Sequence, residues 1–368
     1  MPRVTIIGAG VIGAGIAYEL SLVEGLRITL LERETPAYGS TGAALVVLMG
    51  AISHKVQGKP WRWRTTSLQR YETLIPELLA LTGKQVSFNR QGIIKLRFVG
   101  EDVSHWEKLV TKRHSQDWAL EIWHLSQLQA QCPQIQNERV IGAVYSPQDR
   151  QVNPRQLTEA LVAAAELKGV KCQFGVEVEK VVPNDYQNPT SYELHTTSGI
   201  IETQWLIIAA GNGSTPLTTS LNQPVDIRPV LGQALQVELK QPLGNPDFQP
   251  VITGEDTHIV PLGDNQYWLG ATVEFPNQEG KVFAQEVCLE ELKNKGIALC
   301  PALAQARIVH TWSGNRPRPE GRPAPIVEEL PAHPQVLLAT AHYRNGVLLA
   351  PATALAIKSW FVEEKNTF

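Results

Sequence analysis

The chain opens with an apolar strand running into a glycine-spaced turn. Val4-Thr5-Ile6-Ile7 leads to Gly8-Ala9-Gly10-Val11-Ile12-Gly13, and after a helix-length apolar stretch Arg27-Ile28-Thr29-Leu30-Leu31 closes on Glu32. Strand, turn, helix and second strand in so short a span constrain the fold to a βαβ unit whose turn faces a nucleotide. Gly8 permits the tight turn, Gly10 leaves bare backbone for a pyrophosphate, and Gly13 lets the helix lie close to the strand. The helix N-terminus at Val11 and Ile12 presents unpaired N–H groups and partial positive charge to the phosphates. Glu32, about 20 residues beyond the last glycine, can accept hydrogen bonds from ribose hydroxyls and disfavours a 2′-phosphate. The motif alone does not choose between NAD and FAD.

With 368 residues, 43% of them hydrophobic, the chain can bury two interlocked cores. A formal charge of −3 supplies no global field for nucleic acid. Trp61-Arg62-Trp63-Arg64 interleaves bases with aromatics, yet it precedes a helical pattern over Thr65 to Leu81 and reads as packing at a helix entrance. The cysteines, at 132, 172, 288 and 300, show neither CxxC nor Cys/His spacing, which argues against a metal site or disulfide framework and fits a reduced cytoplasm. No signal peptide precedes the first strand, and no apolar run approaches the roughly 18 residues of a membrane span. A soluble cytoplasmic protein is expected.

Further along, Tyr38-Gly39-Ser40-Thr41-Gly42-Ala43-Ala44 offers hydroxyls and bare backbone to a phosphate or a flat ring. Gly92 to Phe98 alternates as a strand, and the stretch to about Asn137 reads as an inserted module. Asn153-Pro154 opens a capped helix that stops at Gly169. Strands are predicted over Val170 to Val182, Tyr192 to Thr196 and Gly199 to Ile208, the last closing on Ala209-Ala210-Gly211. A strand-rich region from Arg228 to Cys300 carries one helix from about Glu279 to Ala298, and a glycine-bearing turn at His342 to Gly346 leads to a helix over Val347 to Phe361.

Trp312-Ser313-Gly314-Asn315-Arg316-Pro317 and His342-Tyr343-Arg344-Asn345-Gly346-Val347-Leu348-Leu349-Ala350-Pro351, taken with the N-terminal fingerprint, resemble the glycine oxidase branch of the D-amino-acid oxidase family of flavoproteins. Ser67-Leu68-Gln69-Arg70-Tyr71, Gln91-Gly92, Val152-Asn153-Pro154, Ile227-Arg228-Pro229-Val230 and Ile259-Val260-Pro261 through Gly270-Ala271-Thr272 follow in that branch's order. The resemblance implies an α/β fold with a Rossmann-like FAD-binding domain, discontinuous over 1–85, 143–225 and 306–368. A second, antiparallel-sheet substrate domain of α+β character takes 86–142 and 226–305. It implies FAD contacts at Gly8, Gly10, Val11, Ile12, Gly13, Glu32, Arg33, Ser40, Thr41, Gly42, Ala43, Val178, Ala210, Gly211, His342, Tyr343, Arg344, Asn345, Gly346, Val347 and Leu348. The FAD should be non-covalent, because no cysteine falls in a flavin-facing motif, and the helix opening after Asn345-Gly346 offers its dipole to the reduced ring.

The chemistry implied is oxidation of a small amine or amino acid, such as glycine, sarcosine or a small D-amino acid, with hydride leaving Cα for flavin N5 and O₂ returning as peroxide. An arginine fork is the natural clamp for the carboxylate, and Arg316 stands where the family places it. Arg344 stands at the second arginine and either steers the carboxylate or holds its loop. His258 stands where a tyrosine is common, as a substrate contact or a histidine satisfied by backbone, and its titration near neutrality would alter the pH profile. Val273, Gln233, Asn212 and Val327 also depart from the branch's pattern. The alternatives are a dehydrogenase passing electrons to a quinone or carrier protein, a flavin-binding protein without turnover, and an NAD dehydrogenase. A role in supplying a thiamine precursor, and a homo-oligomer, are implied by the resemblance alone.

Overall fold

The computed structural model describes residues 1–45 and 47–365, side chains of 363–365 apart; Val46 and residues 366–368, which fall within the expected divisions 1–85 and 306–368, lie outside the described residues. A six-stranded sheet runs in the order Ile326–Glu329, Val336–Thr340, Trp205–Ile208, Arg3–Ile7, Arg27–Glu32, Lys171–Phe174. Its pairs are parallel except the hairpin at one edge, Ile326–Glu329 with Val336–Thr340. Side chains alternate between two cores, as the period of a strand dictates. Trp205 and Ile207 face helices Val11–Ser21, Gly58–Thr82, Pro154–Leu167 and Gly346–Lys365, while Leu206 and Ile208 face a three-stranded sheet of Val178–Pro183, Tyr192–Thr196 and Gly199–Thr203.

That second layer breaks two expected strands. Chain 170–182 leaves the parallel sheet at Gly175, whose φ is +72°, so Lys171–Phe174 and Val178–Pro183 belong to different sheets. Residues 199–208 divide likewise at Gln204. The expected helix from 279 starts only at Glu286, because Asn277 ties down the preceding turn by accepting from the N–H groups of Glu279 and Lys281. The expected helix at 65 starts earlier, at Gly58, so the Trp61–Arg64 run is helical: Arg64 donates to the Pro60 carbonyl at 2.9 Å and the Arg113 guanidinium lies 3.7 Å over the Trp61 ring.

Asn153 caps helix Pro154–Leu167 as its sequence suggests, accepting from the N–H groups of Arg155 and Gln156. Helix Gly346–Lys365 carries Pro351, which removes the N–H that would bond the Val347 carbonyl. The Tyr71 hydroxyl from helix Gly58–Thr82 donates to that carbonyl at 2.5 Å, and Ser67 Oγ accepts from the N–H of Ala352 at 3.2 Å. By length and a mean hydropathy of 1.2, residues Tyr343–Val362 could span a bilayer; 56% of that stretch is buried, against the other helices of this layer.

An eight-stranded sheet is ordered Arg307–Pro319, Ile227–Glu238, Gln266–Gly270, Thr257–Gly263, Val251–Gly254, Ile93–Phe98, Val140–Ser146, Glu121–His124. All neighbours are antiparallel save Val251–Gly254 with Ile93–Phe98. Strands Val140–Ser146 and Arg307–Pro319 carry this sheet beyond residues 142 and 305. One face packs Ile94, Leu96, Ile252, Ile259 and Leu269 with Leu292 and Leu299 of helix Glu286–Leu299. The opposite face carries Lys95, Thr253, His258, Ala234 and Arg316.

Candidate active site

The glycine turn is built by contacts that no larger residue permits. Gly8 has φ +104°, and a Cβ on Gly13 would sit 1.8 Å from the Gly8 carbonyl oxygen. The Ala9 N–H donates to Glu32 Oε2 at 2.8 Å and the Glu34 N–H to Oε1 at 3.1 Å, so the acid that ends the second strand also braces the turn. The Val11 N–H, in the first turn of the helix, donates to Thr41 Oγ1 at 3.1 Å, bringing the small-residue loop over the helix N-terminus.

That loop also joins the two large sheets. Ser40 Oγ donates to the Asn315 carbonyl at 2.6 Å, Asn212 Nδ2 donates to the same oxygen at 3.1 Å, and Trp312 Nε1 donates to the Ala43 carbonyl at 3.2 Å. Between the sheets runs a cavity of about 1320 Å³. Gly8, Gly10, Val11, Ile12, Glu32 and Arg33 line one end, followed by Ser40, Thr41, Ala43, Ala210 and Gly211. The turn His342, Tyr343, Arg344, Asn345, Gly346, Val347 and Leu348 lines it further along, with Arg316 and His258. Gly13, Gly42 and Val178 do not line it. Gly13 lies beneath Gly8, Gly42 is packed against the Ala37 carbonyl within its own turn, and Val178 sits in the core behind the sheet with Ile7 and Leu31.

At the far end Arg316 Nη1 donates to the Leu231 carbonyl at 3.0 Å, and a Cβ on Gly232 would come within 2.2 Å of Nη2, so the guanidinium lies on that glycine. Burial, then the neighbouring Arg344, lowers the Arg316 pKa. Neither arginine has a carboxylate within ion-pair distance among the described residues. His258, opposite Gly270 in its ladder, keeps a buried Nδ1 with no protein partner. Burial, opposed by Asp256 and reinforced by Arg344, Lys95 and Arg316, holds its pKa down to about 4. It is therefore neutral at pH 7, and the expected titration near neutrality moves well to the acid side. His342 is 3% exposed, pairs with Thr353 Oγ1 at 2.9 Å and is held at about 3 by burial.

Lys95, Thr253 and Asp256 also line the cavity and escaped the sequence reading. The one available signal was a lysine inside an alternating strand, and the register that places it opposite Thr253 spans more than 150 residues. No cysteine lines the cavity among the described residues; Cys132 and Cys300 lie in the core behind the eight-stranded sheet.

The cavity fits FAD by its volume, its uninterrupted run from the glycine turn to the helix N-terminus at Gly346, and the unpartnered His258 nitrogen at its inner end. The family described as DAO, FAD dependent oxidoreductase, matches residues 3–360. The chain is 32% identical over 370 residues to the bifunctional protein ThiO/ThiG of Trichormus variabilis, covering 99% of this chain and 53% of that protein. It is 29% identical over 366 residues to the glycine oxidase of Geobacillus kaustophilus, covering 99% and 93%. The chain thus spans about half the length of the bifunctional relatives. The crystal structure of the Geobacillus kaustophilus glycine oxidase superposes with a TM-score of 0.86 at 26% identity, covering 97% of this chain and 94% of that one. The L-proline dehydrogenase of P. horikoshii shares the fold at 18% identity, with a TM-score of 0.84. Over residues 3–360, this chain belongs to the DAO family of FAD-dependent oxidoreductases.

Proposed function

We propose that this enzyme oxidises a small amine or amino acid at the carbon bearing nitrogen, with O₂ as the final acceptor and hydrogen peroxide as product. One observation carries the reading: a guanidinium fixed by the Leu231 carbonyl and free of carboxylates opens on the same cavity as the nucleotide turn. FAD, when bound, supplies the acceptor for the hydride. The chain supplies binding and orientation. Arg316 pairs in a fork with the substrate carboxylate, and its bond to Leu231 fixes the fork before substrate arrives. Arg344, exposed beside Tyr343, adds a second positive charge that draws the carboxylate in. Neutral His258 offers a hydrogen-bonding nitrogen without adding charge that would repel a substrate ammonium.

The glycine turn, Glu32, the 40–43 loop and the 342–348 turn would hold the cofactor, with the parallel sheet and its helices as the FAD part and the eight-stranded sheet as the substrate part. Glycine, sarcosine and small D-amino acids are the substrates of this reading, and supply of a thiamine precursor is a role consistent with it. Anaerobic addition of these compounds should bleach the flavin absorbance, and admitting air should restore it with peroxide formed. No bleaching by any of them removes the reading. Bleaching with slow recovery in air but rapid reduction of a dye favours a dehydrogenase instead.

A further inference from the structure

Around Arg316 the eight-stranded sheet is bare of side chains at Gly314, Gly232 and Gly270. Gly314 pairs with Gly232; two residues along the same strand, Ala234 pairs with Gly270, and Gly270 pairs in turn with His258. Each bare position is covered by a group from elsewhere. The Arg316 guanidinium lies on Gly232, Ala43 covers Gly314, and Leu45 covers Gly270. A Cβ added at Gly314 would come within 2.2 Å of the Ala43 Cβ, and one added at Gly270 within 2.3 Å of Leu45 Cδ1 and 3.1 Å of the Ala234 Cβ. The loop that fastens the nucleotide side to this sheet thus lays an isobutyl group on the row from Ala234 to His258. Its backbone is tied on either side, the Ala43 carbonyl by Trp312 Nε1 at 3.2 Å and the Leu45 carbonyl by the Val47 N–H at 2.9 Å. A strand rises about 3.4 Å per residue, so Gly232 and Ala234 stand roughly 7 Å apart and Leu45 meets the sheet about one short substrate's length from the guanidinium. Both Leu45 and Arg316 line the cavity.

We propose that Leu45 sets the size limit of the substrate. With the carboxylate paired to Arg316, bulk on the carbon bearing nitrogen, or on the nitrogen itself, meets the Leu45 methyls between the clamp and His258. This rests on the reading of Arg316 as the carboxylate clamp. The class accepted is then glycine and its singly methylated forms, and Leu45 acts by exclusion alone, taking no part in the chemistry.

Two measurements on the FAD-loaded enzyme test this. The first titrates acetate, propionate, isobutyrate and pivalate, which add one methyl at a time to the carbon beside the carboxylate, following the visible flavin spectrum. The second compares flavin reduction by glycine, D-alanine and D-valine. In the native enzyme isobutyrate and pivalate should bind at least about ten-fold more weakly than the better of acetate and propionate, the scale on which a close-fitting pocket discriminates one carbon. Leu45→Ala should reverse that order and raise the kcat/KM of D-valine relative to glycine by at least about ten-fold, whereas Leu45→Ile, of equal volume, should keep the native order. Equal or rising affinity along the native acid series overturns the proposal, as does an equal loss for all four acids in Leu45→Ala, which a merely structural role would give. The native series can overturn it even where a variant fails to retain FAD. If no amine reduces the flavin but the acids fall off with branching and Leu45→Ala reverses their order, the oxidation reading falls and the size limit stands. If glycine reduces it and branching costs the acids nothing, only the size limit falls.

Discussion

Arg316 is positioned by backbone rather than by an acid, so its fork stays free for an incoming carboxylate. The Leu231 carbonyl orients one nitrogen, and Gly232 provides the floor because it has no side chain. Gly232→Ala should therefore displace the guanidinium without harming the fold, since the far end of an arginine can move where backbone cannot. We expect KM to rise by at least about ten-fold with FAD content unchanged, as loss of a charge-assisted bond requires. Arg316→Ala should abolish substrate-dependent bleaching and still bind FAD; loss of the cofactor as well would show that the arginine is structural. The arginine itself was legible from the Asn315-Arg316-Pro317 run. Its glycine floor was not, because that contact arises from pairing of strands more than 80 residues apart.

The elements that carry the site are held by specific backbone repairs. Gly13→Ala would place a methyl 1.8 Å from the Gly8 carbonyl oxygen, a backbone atom that cannot swing aside as a side chain would. The first helix would have to move off the strand, so FAD binding, measured by retained absorbance after gel filtration, should be lost. Tyr71→Phe leaves the Val347 carbonyl, stripped of its helical donor by Pro351, without a partner in the core. A cost of about 1–3 kcal/mol is expected, seen as a lower denaturant midpoint with an unchanged slope. Local sequence foretold the Asn153 cap and the helix after Gly346. It did not foretell the breaks at Gly175 and Gln204, because both halves of each run suit a strand and only the layer they join separates them.

Across the whole molecule, acid should destabilise the fold through two histidines held neutral, His342 in the core and His258 in the cavity wall. His258 and His342 have folded pKa values of about 4 and about 3, both below the ordinary 6.5. The unfolded chain thus binds protons that the native state refuses as pH falls below 6.5, and stability declines until His258 titrates near 4 and His342 near 3. Asp149, whose carboxyl is raised by burial despite the N–H groups of Gly50, Ala51 and Ile52, acts in the opposite sense at the acid end. The melting temperature should drop between pH 7 and pH 5, with a shallower slope in His342→Gln; a flat profile would contradict the burial of these rings. The nucleotide turn, its acid and the capped helices were determined by sequence alone, because glycine spacing, capping and apolar period act over a few residues. Which strands share a sheet, that the 40–43 loop fastens the two sheets together, and that Lys95 stands in a row with His258 were decided only by tertiary structure. Those relations depend on pairing between segments that no local preference links, and the chain must close around both cores before they exist.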